Sequence, residues 1–311
     1  MDNAPTAGDL ASQIPCVACG SDHVETRTAV IAPFISEYVL QQSDTLTRIM
    51  RCRECTMMFY ALRPDESDMQ KLYAGYRGER YFTIRNKNEF WYTRRFHQSL
   101  GAEDTMPARR KSLLQNLARG VPLESVETVL DYGGDRGQIL AEGPGSRRFV
   151  YEMSEVTPEP GIEKITREQD LKPAAYDLVL LLHVLEHVSD PLGLLRKLKT
   201  LLSDNGVLFI EVPSEAFNIH NIPGSRWYAR YLSWLIRHKW VWQLMSFYSA
   251  FFRIFCGVIP PLGFAVAHEH INLFTLKALK TILEKSGFTT EDVFYDAKTG
   301  NICAIAKYIR A

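Results

Sequence analysis

An apolar run that ends in an acid and then a glycine turn constrains this chain more than any other feature. In "VETVLDYGGDRGQIL" (126–140), Val126 to Leu130 reads as a buried parallel strand, the glycines as a tight turn and the rest as the start of a helix. Gly133, Gly134 and Gly137 let backbone approach a ligand closely. Asp131 closes the strand, where a carboxylate can order the loop and meet an amino-acid ammonium. A nicotinamide fingerprint usually has no acid there. The pattern predicts an open α/β sheet with a ligand crevice at the carboxyl ends of its strands.

The next strand, "RRFVYEM" (147–153), ends in Glu152, one strand further along the chain than Asp131. An acid so placed can accept hydrogen bonds from both hydroxyls of a ribose. Only "MSEVTPEPG" separates it from the short strand "IEKI", too little for a helix. In "AYDLVLLLHVLEHVSDP" a strand over Leu178 to Leu182 runs into His183. Pro191 then opens a helix, "PLGLLRKLKTLLSDNG", stopped by Asn205-Gly206 before the strand "VLFIEVP". His183-x-x-Glu186-His187 matches an inverted zinc-peptidase pattern. That chemistry needs all three residues inside one helix, whereas His183 falls at a strand tip. Glu186 and His187 can also simply cap and brace the following helix.

Two Cys-x-x-Cys knuckles, Cys16/Cys19 and Cys52/Cys55, stand well apart in the chain. Their flanks, "PCVACGSDH" and "RCRECTMMF", read as loop and hairpin, not as a redox motif opening a helix. Four thiolates complete a tetrahedron around structural Zn²⁺, leaving no open position for chemistry. Residues 1–61 therefore read as a zinc-binding module. Residues 62–107 read as a helical linker or a lid arm that binds acceptor, with Tyr73, Tyr76, Tyr81 and Tyr92 beside Arg77, Arg80 and Arg85. A helix over 108–120 leads into the main domain, 108–311. Within it, 216–267 is an insertion with no acid, five Lys/Arg and four of the five tryptophans. Trp227, Tyr231 and Trp234 recur at helical spacing. The insertion is a lid or homodimer face packed on its own protein, or an interfacial element (224–256) meeting anionic lipid or a lipid-linked acceptor. Pro260-Pro261 and Arg253 argue against a span. Lys plus Arg and Asp plus Glu both total 36, so no global charge draws the chain to nucleic acid. "MDNAPTAGDLASQIP" has no apolar core, so the expected location is the cytoplasm, or the inner face of the membrane if the insertion meets lipid.

In this order the motifs resemble the class I S-adenosylmethionine-dependent methyltransferases over about residues 108–311. The resemblance implies a Rossmann-like methyltransferase sheet, mostly parallel with an antiparallel last strand. It implies S-adenosyl-L-methionine as cofactor, held by Asp131, Gly133, Gly134, Gly137, Glu152 and His183, with Asp170 and Leu171 at the adenine. Asp135 replaces the usual central loop glycine, and its carboxylate would approach that of the cofactor unless turned away. Together with the knuckles, the chain resembles the zinc-bearing sugar methyltransferases of bacterial glycan and antibiotic gene clusters. That implies a sugar, nucleotide-sugar or lipid-linked glycan acceptor. The C-methylating relatives carry a long extra C-terminal domain, which is not expected in a sequence ending at Ala311; this favours O-methylation. Quinone-pathway O-methyltransferases resemble the 183–187 stretch too, but carry Glu where His183 stands in an acid-x-x-Glu-His cation site.

A hydroxyl acceptor needs a base, and histidine titrates near neutrality. "HEH" (268–270) lies in a loop expected over the strand tips, so His270 is the first candidate and His183 the second. Glu269 or Glu186 would fix the tautomer. The plainer alternative has His268 and His270 only tying the lid to the domain. Two rival functions remain open: an RNA methyltransferase gripping its substrate through the zinc module, and a catalytically silent scaffold in which Asp135 blocks the cofactor.

Overall fold

The computed structural model describes residues 14–42, 45–75, 78–99 and 105–308; Tyr76, Arg77 and the stretch 1–13 lie outside them. The chain begins with three strands, β1 (Val24–Ile31), β2 (Leu46–Cys52) and β3 (Met58–Tyr60). A one-turn helix, α1 (Pro33–Ile35), continues as a π turn over Ser36–Leu40 between the first two. The arm holds α2 (Glu66–Ala74), α3 (Glu79–Asn88) and α4 (Arg94–Ser99), and α5 (Met106–Leu117) leads out of it. Then come β4 (Thr128–Tyr132), β5 (Arg147–Tyr151), β6 (Glu163–Ile165), β7 (Tyr176–Leu182), α6 (Pro191–Leu201) and β8 (Leu202–Pro213). The insertion forms α7 (Arg226–Arg237) and α8 (Lys239–Cys256). Two short strands, β9 (Val266–Ala267) and β10 (Asn272–Leu273), precede α9 (Leu276–Lys285), β11 (Thr289–Asp296) and β12 (Asn301–Lys307).

The larger sheet has the order β11-β12-β8-β7-β4-β5-β6. Strands β4 to β8 run parallel, and β12 enters antiparallel between β8 and β11. This is the mostly parallel Rossmann-like methyltransferase sheet that the motif order implies. β4 and β7 are buried nearly throughout, in keeping with the apolar stretches Val129-Leu130 and Leu178 to Leu182 at their centres. One face is covered by Leu195, Leu198 and Leu201 of α6 and by Leu279, Ile282 and Leu283 of α9. The other is covered by Leu113 and Leu117 of α5.

Two elements depart from expectation. The helix predicted after the glycine turn is only a 3₁₀ turn, Gln138–Leu140. The Arg148 guanidinium explains the arrest: it donates to the carbonyls of Ala141, Gly143 and Gly145 at 3.1, 2.9 and 3.1 Å, tying the chain into a loop. The helix after Pro191 stops at Leu201, short of Asn205-Gly206. Residues 203–206 instead bulge within β8, where Tyr176 pairs Leu202 and Leu178 already pairs Val207. The gap after Glu152 holds no helix, as its length predicts.

The smaller sheet has the order β10-β3-β2-β1-β9, so both its edges come from beyond residue 265. Strand alternation gives it two apolar faces. Met50 and Phe59 join the core under α6 and α9, with the knuckle cysteines. Ile49, Met58 and Tyr60 face the insertion, where Tyr228, Leu232, Leu235 and Trp242 pack. A segment too small for its own core is thus held between two larger ones.

Candidate active site and metal centre

β4 carries Asp131 to the crevice almost fully buried, at 2 % exposure. Burial pushes its carboxyl up to about 7 against the pull of Arg109. Its Oδ1 meets no donor among the described residues. Gly134 lies directly on that carboxylate, where a Cβ would collide, and Gly133 holds φ +78° with Val184 beneath it. A cradle that excludes side chains over an orphaned buried carboxylate oxygen fits a ligand bearing an ammonium group. Gly137 packs over Ile162 and Val150. Asp135 adopts φ 55°, a left-handed conformation that Asp tolerates better than most residues. Its N–H donates to Glu152 Oε2 at 3.2 Å, and Ser154 N–H donates to Oε1 at 2.8 Å. Glu152 is therefore oriented by the loop, and the Asp135 side chain turns to Gln138 Nε2, 3.3 Å away.

Asp170 and Leu171 are not a matched pair. Asp170 is ion-paired with Arg167 at 2.8 Å, its side chain 42 % exposed. Leu171 is buried in the same core cluster as Tyr132 and Tyr151.

His183, His187, His268 and His270 gather with Glu186, Glu211, Glu215 and Glu269 past the tips of β7 and β8. His183 sits at φ 55°, an unusual conformation for a non-glycine residue. Its Nε2 lies 3.0 Å from Glu211 Oε1 and its Nδ1 3.3 Å from Glu186 Oε1. Asn301 Nδ2 donates to the same Glu211 oxygen at 2.8 Å. Burial alone would lower the His183 pKa, but the two carboxylates outweigh it and raise it to about 9. Both ring nitrogens of His183 thus face carboxylates, which ties the ring more tightly than that of His270.

His270 is held differently. Its Nδ1 lies 2.6 Å from Glu215 Oε2, which leaves Nε2 without a fixed partner among the described residues. Burial opposes the charged ring, but Glu215 outweighs it and raises the pKa. Glu269, expected to orient a histidine through its carboxylate, does not. Its side chain accepts from Tyr81 Oη at 2.7 Å and pairs with Arg85. Despite burial, Arg85 holds that carboxyl down at about 2. The Glu269 main-chain oxygen instead lies 3.0 Å from His187 Nδ1. His268 Nδ1 lies 3.2 Å from Glu89 Oε1. The arm's Arg85 and Glu89 thus grip two consecutive residues of the "HEH" loop, a tie that spacing could not signal.

Glu186 is wholly buried; its Oε1 faces His183 Nδ1 at 3.3 Å as an ion pair outside good hydrogen-bond geometry, and its Oε2 meets no donor among the described residues. Burial would neutralise it, but His183, His187 and His270 keep its pKa low. Donor atoms of Glu186, His187 and His270 lie within 4.8 Å of one another. Two imidazoles and a carboxylate are a donor set that suits a divalent transition ion.

The second donor group is the cysteine cluster. Cys16 Sγ lies 3.5 Å from Cys55 Sγ, and Cys19 Sγ 3.6 Å from Cys52 Sγ. All four sulfurs fall within 4.8 Å of one another. Zinc–sulfur bonds of about 2.3 Å set tetrahedral S–S edges of about 3.8 Å, so the cluster fits Zn²⁺ with little movement.

The strand order, the glycine turn after β4 and the acid after β5 define a class I methyltransferase. Residues 106–293 match the model of the methyltransferase-domain family, and the chain belongs to that family; it is an S-adenosylmethionine-dependent methyltransferase. No curated protein matches it. Among solved structures it is similar to an S-adenosylmethionine-dependent methyltransferase from Aquifex aeolicus, with 14 % identity over 68 % of this chain and 95 % of that one, at TM-score 0.41. It is also similar to the 1,6-didemethyltoxoflavin-N1-methyltransferase of Burkholderia thailandensis, with 16 % identity over 71 % and 86 % of the two chains, at TM-score 0.42. A methyltransferase from Mesorhizobium loti matches at 16 % identity over 62 % and 96 %, at TM-score 0.39.

Proposed function

We propose that the enzyme methylates a hydroxyl group on a sugar or glycan-linked acceptor, with His270 as general base. The Glu215–His270 contact carries this reading. In its neutral form, with Nδ1–H directed at Glu215, the ring would offer its Nε2 lone pair to the acceptor, and Glu215 would stabilise the imidazolium formed on proton uptake. A sugar hydroxyl holds its proton far above neutrality, so a base is needed as the new bond forms. The resemblance of the knuckles and catalytic domain together to zinc-bearing sugar methyltransferases supports a sugar acceptor.

S-adenosylmethionine would lie against Gly133, Gly134 and Gly137, with its ammonium at Asp131 and its ribose at Glu152. When bound it supplies an electrophilic methyl group. The protein's part is to aim the acceptor oxygen at that carbon and to take its proton at His270 Nε2. The four cysteines hold zinc structurally, away from the chemistry.

A second reading is favoured by the Glu186–His187–His270 group. A divalent cation held there would lower the acceptor hydroxyl's pKa, with His270 as a ligand.

The test offers labelled S-adenosylmethionine with panels of sugars, nucleotide sugars, lipid-linked glycans and RNA. Label in an alkali-stable ether on a sugar is the expected result. Label on RNA alone would move the function to the nucleic-acid rival, and loss of activity with EDTA restored by Mn²⁺ would select the second reading.

A further inference from the structure

The insertion turns one face inward and leaves the other bare. α7 buries Tyr228, Leu232 and Leu235 against the smaller sheet, and α8 buries Trp242. Along the opposite side of α8 run Trp240, Leu244, Phe247, Phe251, Ile254 and Phe255, spaced as one helical stripe. Trp240 is 83 % exposed, Phe255 72 % and Ile254 68 %. Trp227 and Trp234 are exposed on α7, two turns apart. Single exposed apolar side chains are ordinary, but a continuous stripe over an 18-residue helix marks a contact surface.

The border of this face is positive. Arg226, Arg230, Arg237 and Lys239 are exposed beside the tryptophans, while Arg253 lies over the Phe217 ring. The insertion contains no Asp or Glu. Lys239 acts on the nearby Glu37, but that carboxylate binds Lys87 at 2.7 Å.

Charge decides between the candidate occupants. A second copy meeting this face about a two-fold axis would bring the four cations toward the same four, with no carboxylate in the insertion to offset them. Anionic headgroups offset them directly, and tryptophan favours the depth where headgroups meet acyl chains. No helix of the described residues is long and apolar enough to cross a membrane, so the stripe would lie in the plane of the bilayer.

We propose that the outer face of α7 and α8 docks on an anionic bilayer surface, with the α8 stripe at the acyl boundary and Arg226, Arg230, Arg237 and Lys239 among the headgroups. The insertion leaves the sheet next to Glu215 and returns at His268, so both its ends run into the segments that carry the Glu215–His270 pair, and docking would bring that site to a membrane-borne acceptor. The acceptor is then one carried on a lipid. That last step rests on the methyl-transfer reading above; the docking does not.

Vesicle flotation of the full, zinc-loaded chain tests this, with light scattering to read its oligomeric state. Phosphatidylglycerol–phosphatidylethanolamine vesicles are expected to bind about tenfold or more protein than phosphatidylcholine vesicles, with release at about 0.5 M salt. Arg230→Gln with Arg237→Gln, and separately Leu244→Ser with Phe251→Ser, are expected to cut binding about tenfold. S-adenosylhomocysteine should still raise the melting temperature of both variants, which separates lost docking from lost folding. Equal binding to both vesicle types, or none, overturns the proposal. So does a lipid-free dimer that Leu244→Asp dissociates, which would assign the face to a second copy.

Discussion

Glu215 Oε2 lies 2.6 Å from His270 Nδ1, although the two stand 55 positions apart in the chain, with the insertion between them. The contact gives His270 a fixed tautomer and a partner for its charged form. His270→Ala is expected to reduce turnover by about 10²- to 10⁴-fold, the range for loss of a positioned base. Glu215→Gln should cost less, because the amide can still accept from Nδ1 but cannot offset the charge. Affinity for S-adenosylhomocysteine, measured by calorimetry, should stay unchanged in both. Near-normal turnover in His270→Ala would remove it as the base.

His183 makes stability depend on pH. Its pKa rises from 6.5 to about 9 on folding, because Glu186 and Glu211 favour the charged ring. A raised folded-state pKa means that the charged ring's contribution is fully present below about pH 6.5 and is lost as pH climbs through about 9. Urea unfolding of the wild type and His183→Gln between those limits should show a gap that narrows with rising pH. A constant gap would mean that His183 acts only through packing.

One zinc ion per chain is expected in native mass spectrometry. Cys52→Ser should lose the metal and, with it, much of the folded population, because the knuckles share their core with α6 and α9. A metal-free chain that melts as cooperatively as the loaded one would refute a structural role.

S-adenosylhomocysteine at about 100 times its Kd should stabilise the enzyme by about 2.7 kcal/mol. Glu152→Ala should weaken that effect; because it also removes the acceptor of the Asp135 and Ser154 N–H groups, the shift is read against the variant's own unliganded melting temperature. Gly133→Val should abolish it, since φ +78° disfavours a branched side chain and Val184 occupies the space. An undiminished shift in Glu152→Ala would show that the ribose is held elsewhere.

What the sequence made legible was local. Asp131, the glycines and Glu152 are recognisable because strand, turn and acid all fall between positions 126 and 152, and each Cys pair closes its own knuckle. Glu215 was not legible as the partner of His270, because their meeting depends on where the insertion returns. Nor was Arg85, which reaches Glu269 from the arm. The helix after the glycine turn was misread because its arrest comes from Arg148, a residue on the next strand. A strand as short as β9 or β10 carries no periodicity to read.

Those two short strands form both edges of the smaller sheet, and this sets an order of events during synthesis. β1, β2 and β3 leave the ribosome early, yet the sheet cannot close until residues 266–273 follow. Through that interval its outer strands expose unpaired N–H and C=O groups, the kind of edge that invites pairing with other chains. If the four cysteines hold zinc as proposed, they could do so during the wait, since all lie before residue 56. Zinc would then act first as a clamp on an unfinished sheet, and a cell short of the metal would lose this enzyme at birth more readily than after it had folded.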